Sequence, residues 1–377
     1  MNLIDLKFSV AVILGIIALA SATHAADLSS QPGVVKAEFI YDDAPFPQCH
    51  ASTIVETPTG LVAAWFGGTK EGNPDVGIWL SRQIASDGEG RWSTPVEVAN
   101  GAETEDPRVN CLNPVLFQIH DGPLVLFYKT GKWWAYVKRS TDGGVTWSKP
   151  ERMANGFLGP VKNKPVLLAD GSILSPSSTE YATPSGRAWR VHFERSTNGG
   201  KSWQFIGPIN GGRDIAAIQP SILVHPGNRL QALGRSQQGK LYEVWSEDGG
   251  LSWGPMSLTS LPNNNSGTDA VTLRDGRHLL VYNHSGLIPG RTSGYRSPLN
   301  VAVSSDGKVW QAALVLEDEP RCEFSYPAVI QTADGLVHVT YTWRREKIKH
   351  MVIDPAKLVL RAMPDGEWPE AKTESTR

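Results

Sequence analysis

Twelve short polar segments recur along this chain, and most of them carry side chains able to grip a charged ligand or move a proton. Six of them are PQCHAS (47–52), DPRVNCLN (106–113), GPVKNK (159–164), AAIQP (216–220), NNNSGTD (263–269) and RCEFSY (321–326). The other six are GGTKEGNPD (67–75), YKTGKWW (128–134), STEYATPSGRAWR (178–190), GRSQQ (234–238), NHSGLIPGRTSGYR (283–296) and TWRREK (342–347). Lysine and arginine hold anions; histidine, tyrosine, aspartate and glutamate exchange protons. Any one of these segments alone reads as an ordinary solvated loop. Together they make a site only if the fold gathers them at one place.

The elements between them say where that place is. Each segment of the first set precedes a short apolar or β-branched run, a glycine turn and a second such run, and each of the second set follows it. The turn glycines are Gly60, Gly122, Gly171, Gly227, Gly276 and Gly335, which gives six hairpins. A second turn recurs out of phase with them: STDGGVTW (140–147), STNGGKSW (196–203), SEDGGLSW (246–253) and SSDGKVW (304–310), with a degenerate SDGEGRW (86–92). Its Asp or Asn falls at 87, 142, 198, 248 and 306, in steps of 55, 56, 50 and 58 residues. The acidic or amide side chain accepts backbone N–H bonds, the glycines tolerate positive φ, and the tryptophan folds back over the turn. So regular a period signals a repeat architecture. Six units of four strands, at about 59 residues each over the ~350 residues after the N-terminal segment, predict an all-β, six-bladed β-propeller of four-stranded blades. A β-sandwich is the alternative and leaves the period unexplained. The strand near VVKAEFIYDD (34–43) is expected to join the last blade and close the ring. In such a ring the twelve polar segments share one mouth of the axial channel, with the DGG turns on the outer rim at the far side.

Residues 1–26, with the apolar run FSVAVILGIIALASATHA (8–25), read as a signal peptide cleaved near Ala25–Ala26. The propeller is assigned to 27–363 and a polar tail to 364–377. The expectation is an exported, monomeric protein with no stable membrane insertion after cleavage. A net charge of −2 argues against a nucleic-acid partner. Cys49, Cys111 and Cys322 all precede first strands in neighbouring blades, so Cys49 is expected near the channel and close to one of the other two, with a disulfide left open. No metal-ligand spacing is present, and no cofactor is expected.

The repeated S-x-D-G-G-x-T-W resembles the Asp-box, or BNR repeat, and the arrangement resembles the sialidase superfamily of six-bladed propellers across the whole mature chain. The Asp-box speaks for fold rather than activity. The resemblance implies three arginines on a substrate carboxylate, a tyrosine nucleophile activated by a glutamate, and an aspartate acid/base. Counted from the hairpin glycines, Tyr326 in FSYPAVI takes the tyrosine place, nine residues before Gly335. Arg235 in LGRS and Arg296 in YRSPLN take two arginine places. The first arginine's place holds His50 instead, and the activating glutamate's region holds Gln219, whose amide cannot take a proton. Asp75 is the nearest match to the acid/base, with Glu71 its competitor. Glu323 lies three residues before Tyr326 but on a strand would face elsewhere. Lys164, Lys129, Arg344 and His50 are candidates to stabilise a phenolate electrostatically, and Lys164, Gln219 and Arg344 to contact substrate.

The implied partner is an acidic oligosaccharide or glycan, and the implied reaction is cleavage of a glycosidic bond at a terminal carboxylated sugar by a sialidase-type hydrolase. Two other functions fit the same residues. A lyase of the rhamnose–glucuronate type needs cations on the uronate carboxylate, a base and an acid, roles open to Arg235, Arg296, His50 and Tyr326. A catalytically silent glycan-binding propeller needs only the arginines.

Overall fold

The computed structural model describes residues 28–84, 90–184 and 186–370. The 1–26 segment, the Asp87 turn and the 371–377 end of the tail lie outside the described residues. The described chain forms six antiparallel sheets in a ring, with inner strands Gln48–Thr57, Cys111–Gln118, Val166–Leu167, Ala217–Val224, Asp269–Thr272 and Phe324–Gln331. Each opens a blade, numbered 1 to 6 in chain order. The N-terminal strand Val34–Phe39 pairs antiparallel with Lys347–Ile353 and supplies the outermost strand of blade 6, as the sequence leads one to expect. Blade 5 gains a fifth strand, Arg361–Ala362, from beyond blade 6.

The DGG turns are built as their residue types dictate. Asp142 accepts from the backbone N–H groups of Val145 (3.0 Å) and Thr146 (2.9 Å), and Ser140 Oγ accepts from Gly144 N at 2.8 Å. At Asp248 the hydrogen bonds of Ser252 outweigh a small burial cost and hold the carboxyl down to about 2. The tryptophans do more than cover their own turns. Trp203 of blade 3 meets Phe127 of blade 2, and Trp253 of blade 4 stacks on Phe193 of blade 3 at 4.1 Å. Trp310 of blade 5 packs with Leu223, Leu233 and Leu241 of blade 4. Each of these three docks on the preceding blade. The glycines allow that approach: a Cβ on Gly250 (φ +85) would lie 2.7 Å from Leu174 of blade 3.

A second recurring device shapes the inner face. In blades 1, 2, 4 and 6 the inner strand carries one extra residue against its partner, between His50 and Thr53, Leu112 and Val115, Ile218 and Ser221, and Ser325 and Ala328. In each bulge a non-glycine residue takes positive φ: Ala51 (56°), Asn113 (46°), Gln219 (56°) and Tyr326 (53°). A β-bulge re-aims a side chain that regular alternation would send into the sheet.

The three cysteines are all free and sit in three different packing clusters, which corrects the expectation that Cys49 lies beside another. Cys49 faces Tyr41, whose hydroxyl donates to its Sγ at 3.1 Å, and burial pushes the thiol up to about 12.

Buried histidines tie the ring together. His338 Nδ1 lies 2.9 Å from His350 Nε2, and His350 Nδ1 lies 2.9 Å from Glu38 on the closing strand. Burial lowers His338, His278 and His284 from the usual 6.5 to about 4. In the unfolded chain these groups bind protons near 6.5, so acid favours unfolding between the two values. The melting temperature should therefore hold near neutral pH and fall steadily as pH drops from 6.5 towards 4. A flat profile over that window in a buffer-series thermal melt contradicts the role given to these groups.

Candidate active site

Tyr326 lies at the centre of the channel mouth. It is held there by the blade 6 bulge, and residues from blades 1, 3, 4 and 5 close around it. The guanidinium of Arg296 lies 5.4 Å from its ring centroid, Lys162 Nζ 5.8 Å and the guanidinium of Arg235 5.9 Å. The His50 ring lies 4.2 Å away, tilted by 47°. Arg235 and Arg296 thus converge on one ring.

Arg235 is the most telling member. It is 9 % exposed, yet among the described residues every partner it has is neutral. Its Nε donates to Asn265 Oδ1 at 3.0 Å, and its Nη1 donates to the Tyr326 hydroxyl at 2.8 Å and to Gln219 Oε1 at 3.3 Å. The Trp189 ring lies 5.0 Å from its guanidinium. A buried cation without a counter-ion is costly unless an anion completes it. Gln219 Nε2 donates to the same Tyr326 hydroxyl at 3.4 Å. Among the described residues no carboxylate hydrogen-bonds that hydroxyl.

The second charged group is a chain of ion pairs. Glu323 Oε1 accepts from Arg296 Nη1 at 2.7 Å and Arg345 Nε at 3.0 Å, and Arg345 reaches on to Glu71. Burial pushes the Glu323 carboxyl up, but the two guanidiniums outweigh it and hold it below the usual range. Glu323 therefore stays charged and positions arginines; the strand turns it away from the Tyr326 hydroxyl, as its place in the sequence suggests. Arg296 Nη1 also points at His50 Nε2, 3.4 Å away. An arginine can only donate, so Nε2 accepts and the imidazole proton sits on Nδ1, which donates to Thr342 Oγ1 at 3.0 Å. Burial, then the charges of Arg345, Arg296, Lys162 and Arg235, push His50 well below its usual value, so it is a neutral base at pH 7.

Other expected site residues go elsewhere. Asp75 is exposed; desolvation raises its carboxyl, but the bonds it accepts, led by Thr69 N (2.7 Å) and Thr69 Oγ1 (2.8 Å), together outweigh that and hold it below the usual range. It caps its own loop and is poorly suited to give up a proton. Arg344 turns outward to Glu319 and lies over Trp343. Lys164 is neutralised by Asp269 at 2.9 Å. Lys129 is fully buried and donates to the Pro160 carbonyl at 3.1 Å, with no bond to the Tyr326 group. Their neighbours Arg345 and Lys162 hold the places assigned to Arg344 and Lys164. Lys162 donates to the carbonyls of Thr268 and Pro327, and burial lowers its amine to about 7. Asn265 is the other member that sequence reasoning passed over; it lies inside the NNNSGTD segment. Among the described residues no three His, Cys, Asp or Glu side chains gather to hold a metal ion.

The sequence profile of the BNR repeat-like domain matches residues 59–339. An anhydrosialidase of Macrobdella decora is 23 % identical over 257 residues, which is 59 % of this chain and 32 % of the relative, so the match spans about a third of that protein's length. Among solved structures, a protein of unknown function from Dyadobacter fermentans superposes with a TM-score of 0.69 at 17 % identity, over 88 % of this chain and all of that one. The NanB sialidase of Streptococcus pneumoniae gives 0.65 at 12 % identity, over 85 % of this chain and 71 % of that chain. The intramolecular trans-sialidase of Ruminococcus gnavus gives 0.62 at 13 %, over 85 % and 97 %. At these identities the likeness speaks for the fold.

Replacing Glu323 by Gln leaves Arg296 and Arg345 sharing no carboxylate at the seam between blades 5, 6 and 1. With Glu323 30 % exposed, the expected loss is roughly 1–3 kcal/mol, below that of a fully buried pair. Asp75→Asn should cost less. Urea denaturation of the two variants checks the order, and an equal or reversed order contradicts the assignment of the two carboxylates.

Proposed function

The chain belongs to the BNR repeat-like domain family, within the sialidase superfamily, and from that premise we propose that it is an exported enzyme cleaving a glycosidic bond at a carboxylated sugar. One observation carries the reading: the buried Arg235 cation has only neutral partners and lies against Tyr326, with Arg296 facing the same ring. A planar carboxylate is the anion that fits two guanidiniums. Trp189, itself buried, backs the Arg235 guanidinium at 5.0 Å and holds it in place. The apolar 8–25 segment supports export, and the relatives named above support a glycan substrate.

In the hydrolytic form of the reaction, the Tyr326 oxygen attacks the anomeric carbon while an acid protonates the leaving oxygen. That scheme needs a base for Tyr326 and an acid opposite it. Gln219 stands where the base belongs, and Asp75 is held ionised in its own loop.

These two observations favour elimination at a uronic acid as the second reading. The carboxylate is neutralised by Arg235 and Arg296, which acidifies the adjacent C–H. The Tyr326 oxygen, which accepts from Arg235 Nη1 at 2.8 Å, takes that proton after its own hydroxyl proton has passed to solvent. The electron pair forms the ring double bond as the C–O bond to the next sugar breaks. The same Tyr326 hydroxyl returns the proton to the leaving oxygen. One proton-carrying group then suffices, and His50, neutral beside it, adds no further positive charge.

Tyr326→Phe should lower turnover by about a hundredfold or more while the protein still binds glycan. Product analysis separates the readings: free sialic acid or its anhydro form from a sialoside, or a near-ultraviolet chromophore from a uronate glycan. Gln219→Glu sharpens the choice. It supplies the missing base and so raises a hydrolytic rate, whereas it gives Arg235 a competing counter-ion and so lowers an elimination rate. Full activity in Tyr326→Phe rules out both.

A further inference from the structure

A cleft of about 430 Å³ is lined by residues at the ends of the blade 4 inner strand and of the strand that carries Arg235. That volume is within the range of small-ligand pockets. Its floor is Ala216 and Gln237, which flank the inner strand and the Arg235 strand of blade 4. Two projecting elements wall it. One is the long hairpin of blade 3, Ile173–Thr183 and Gly186–Ser196, which contributes Arg187 near its tip. The other is the 283–296 segment that carries Arg296, which contributes Thr292.

The cleft is joined to the central site through Asn265. Its Oδ1 accepts from Arg235 Nε at 3.0 Å, and its Nδ2 donates to the Thr292 carbonyl at 2.8 Å. On the hairpin side Trp189 lies against Arg235, and its indole N–H is buried without an acceptor. A chain leaving the central site over blade 4 runs into this cleft.

The charges along the cleft are of one sign. Arg213 has no carboxylate partner among the described residues. Arg187 has only a loose pair with Glu180, at 3.4 Å and 69 % exposed. The remaining lining is two threonines, the Gln237 amide, Gly186 and the Ala216 methyl, a mixed surface that suits a sugar with its polar edges and apolar faces.

We infer that this cleft is a second subsite, binding a negatively charged sugar that follows the terminal carboxylated one in the same glycan, with Arg187 and Arg213 on its carboxylate or sulfate. The inference rests on the reading of the central site and narrows its substrate to an oligomer carrying charge on at least two consecutive units. A carboxylate and a sulfate present the same acceptor oxygens to the two guanidiniums.

Isothermal titration with two sets of trisaccharides tests it. All share one terminal carboxylated sugar, glucuronic or sialic acid. In one set the next sugar is neutral, and in the other it carries a carboxylate or a sulfate. Wild-type protein should bind the doubly charged set about three- to tenfold more tightly, as exposed charge-assisted bonds allow. The Arg187→Ala/Arg213→Ala variant should bind both sets equally. Equal affinities for both sets in the wild type overturn the subsite, as does a double variant that keeps the preference. If the wild type binds neither set, the central reading fails and the subsite with it.

Discussion

The pairing of Val34–Phe39 with Lys347–Ile353 is the constraint on which the rest of the molecule depends. It makes the first described strand part of the last blade, so the ring closes by backbone hydrogen bonds. A closed ring leaves only short, protected edges. Closure also sets blade 1 against blade 6, and the site is built across that seam. The His50 and Tyr326 rings meet there at 4.2 Å, and Ala51 N reaches Thr342 Oγ1 at 3.2 Å. Arg345 of blade 6 pairs with Glu71 of blade 1. The seam has its own lock: Trp92 Nε1 donates to Glu38 at 3.2 Å, and the Trp92 ring meets His350 at 5.2 Å. That is the contact the other rim tryptophans make with the blade before them.

Within the ring, stability and function pull against each other at the inner strands. Regular strands would send Gln219 and Tyr326 along their alternation. The bulges turn them to the channel at the expense of positive φ at non-glycine residues, roughly 1–3 kcal/mol each. A buried Arg235 without a counter-ion adds to that cost. The rim turns and the apolar layers between blades offset it, at about 1.5–3 kcal/mol for each large side chain fully buried. The site is thus a set of locally unfavourable choices held by a scaffold whose repeats are all favourable.

The scaffold was legible in the sequence because each of its rules recurs. The glycine hairpins and DGG turns gave the blade count, the four-strand unit and the closing strand. Counting from those glycines brought Tyr326, Arg235, Arg296, His50 and Gln219 to one place. The misses share a cause. The sequence points to Lys164 and Arg344, whereas Lys162 and Arg345 stand at the site; all four lie outside the strands, in a bend or turn or just past one, where strand alternation does not say which way a side chain faces. At 344–345 both arginines have positive φ, 52° and 60°, so simple alternation fails there. The X-Pro steps at Asn113, Gln219 and Tyr326 mark three of the four bulges and were the signal available. The cysteines were grouped because all precede inner strands, but neighbouring positions on a strand face different layers, and the three are packed apart. That rim tryptophans reach the preceding blade is a matter of ring curvature, which no local pattern states.

The proposed role of the Arg235–Tyr326–Arg296 cluster is that of an electropositive seat for a sugar carboxylate. A crystal structure with glucuronic acid or a sialic acid analogue bound tests it most directly. The carboxylate should lie within hydrogen-bond distance of both Arg235 and Arg296, with the sugar ring against Tyr326. A sugar bound elsewhere on the ring, or one whose carboxylate faces away from both guanidiniums, contradicts it.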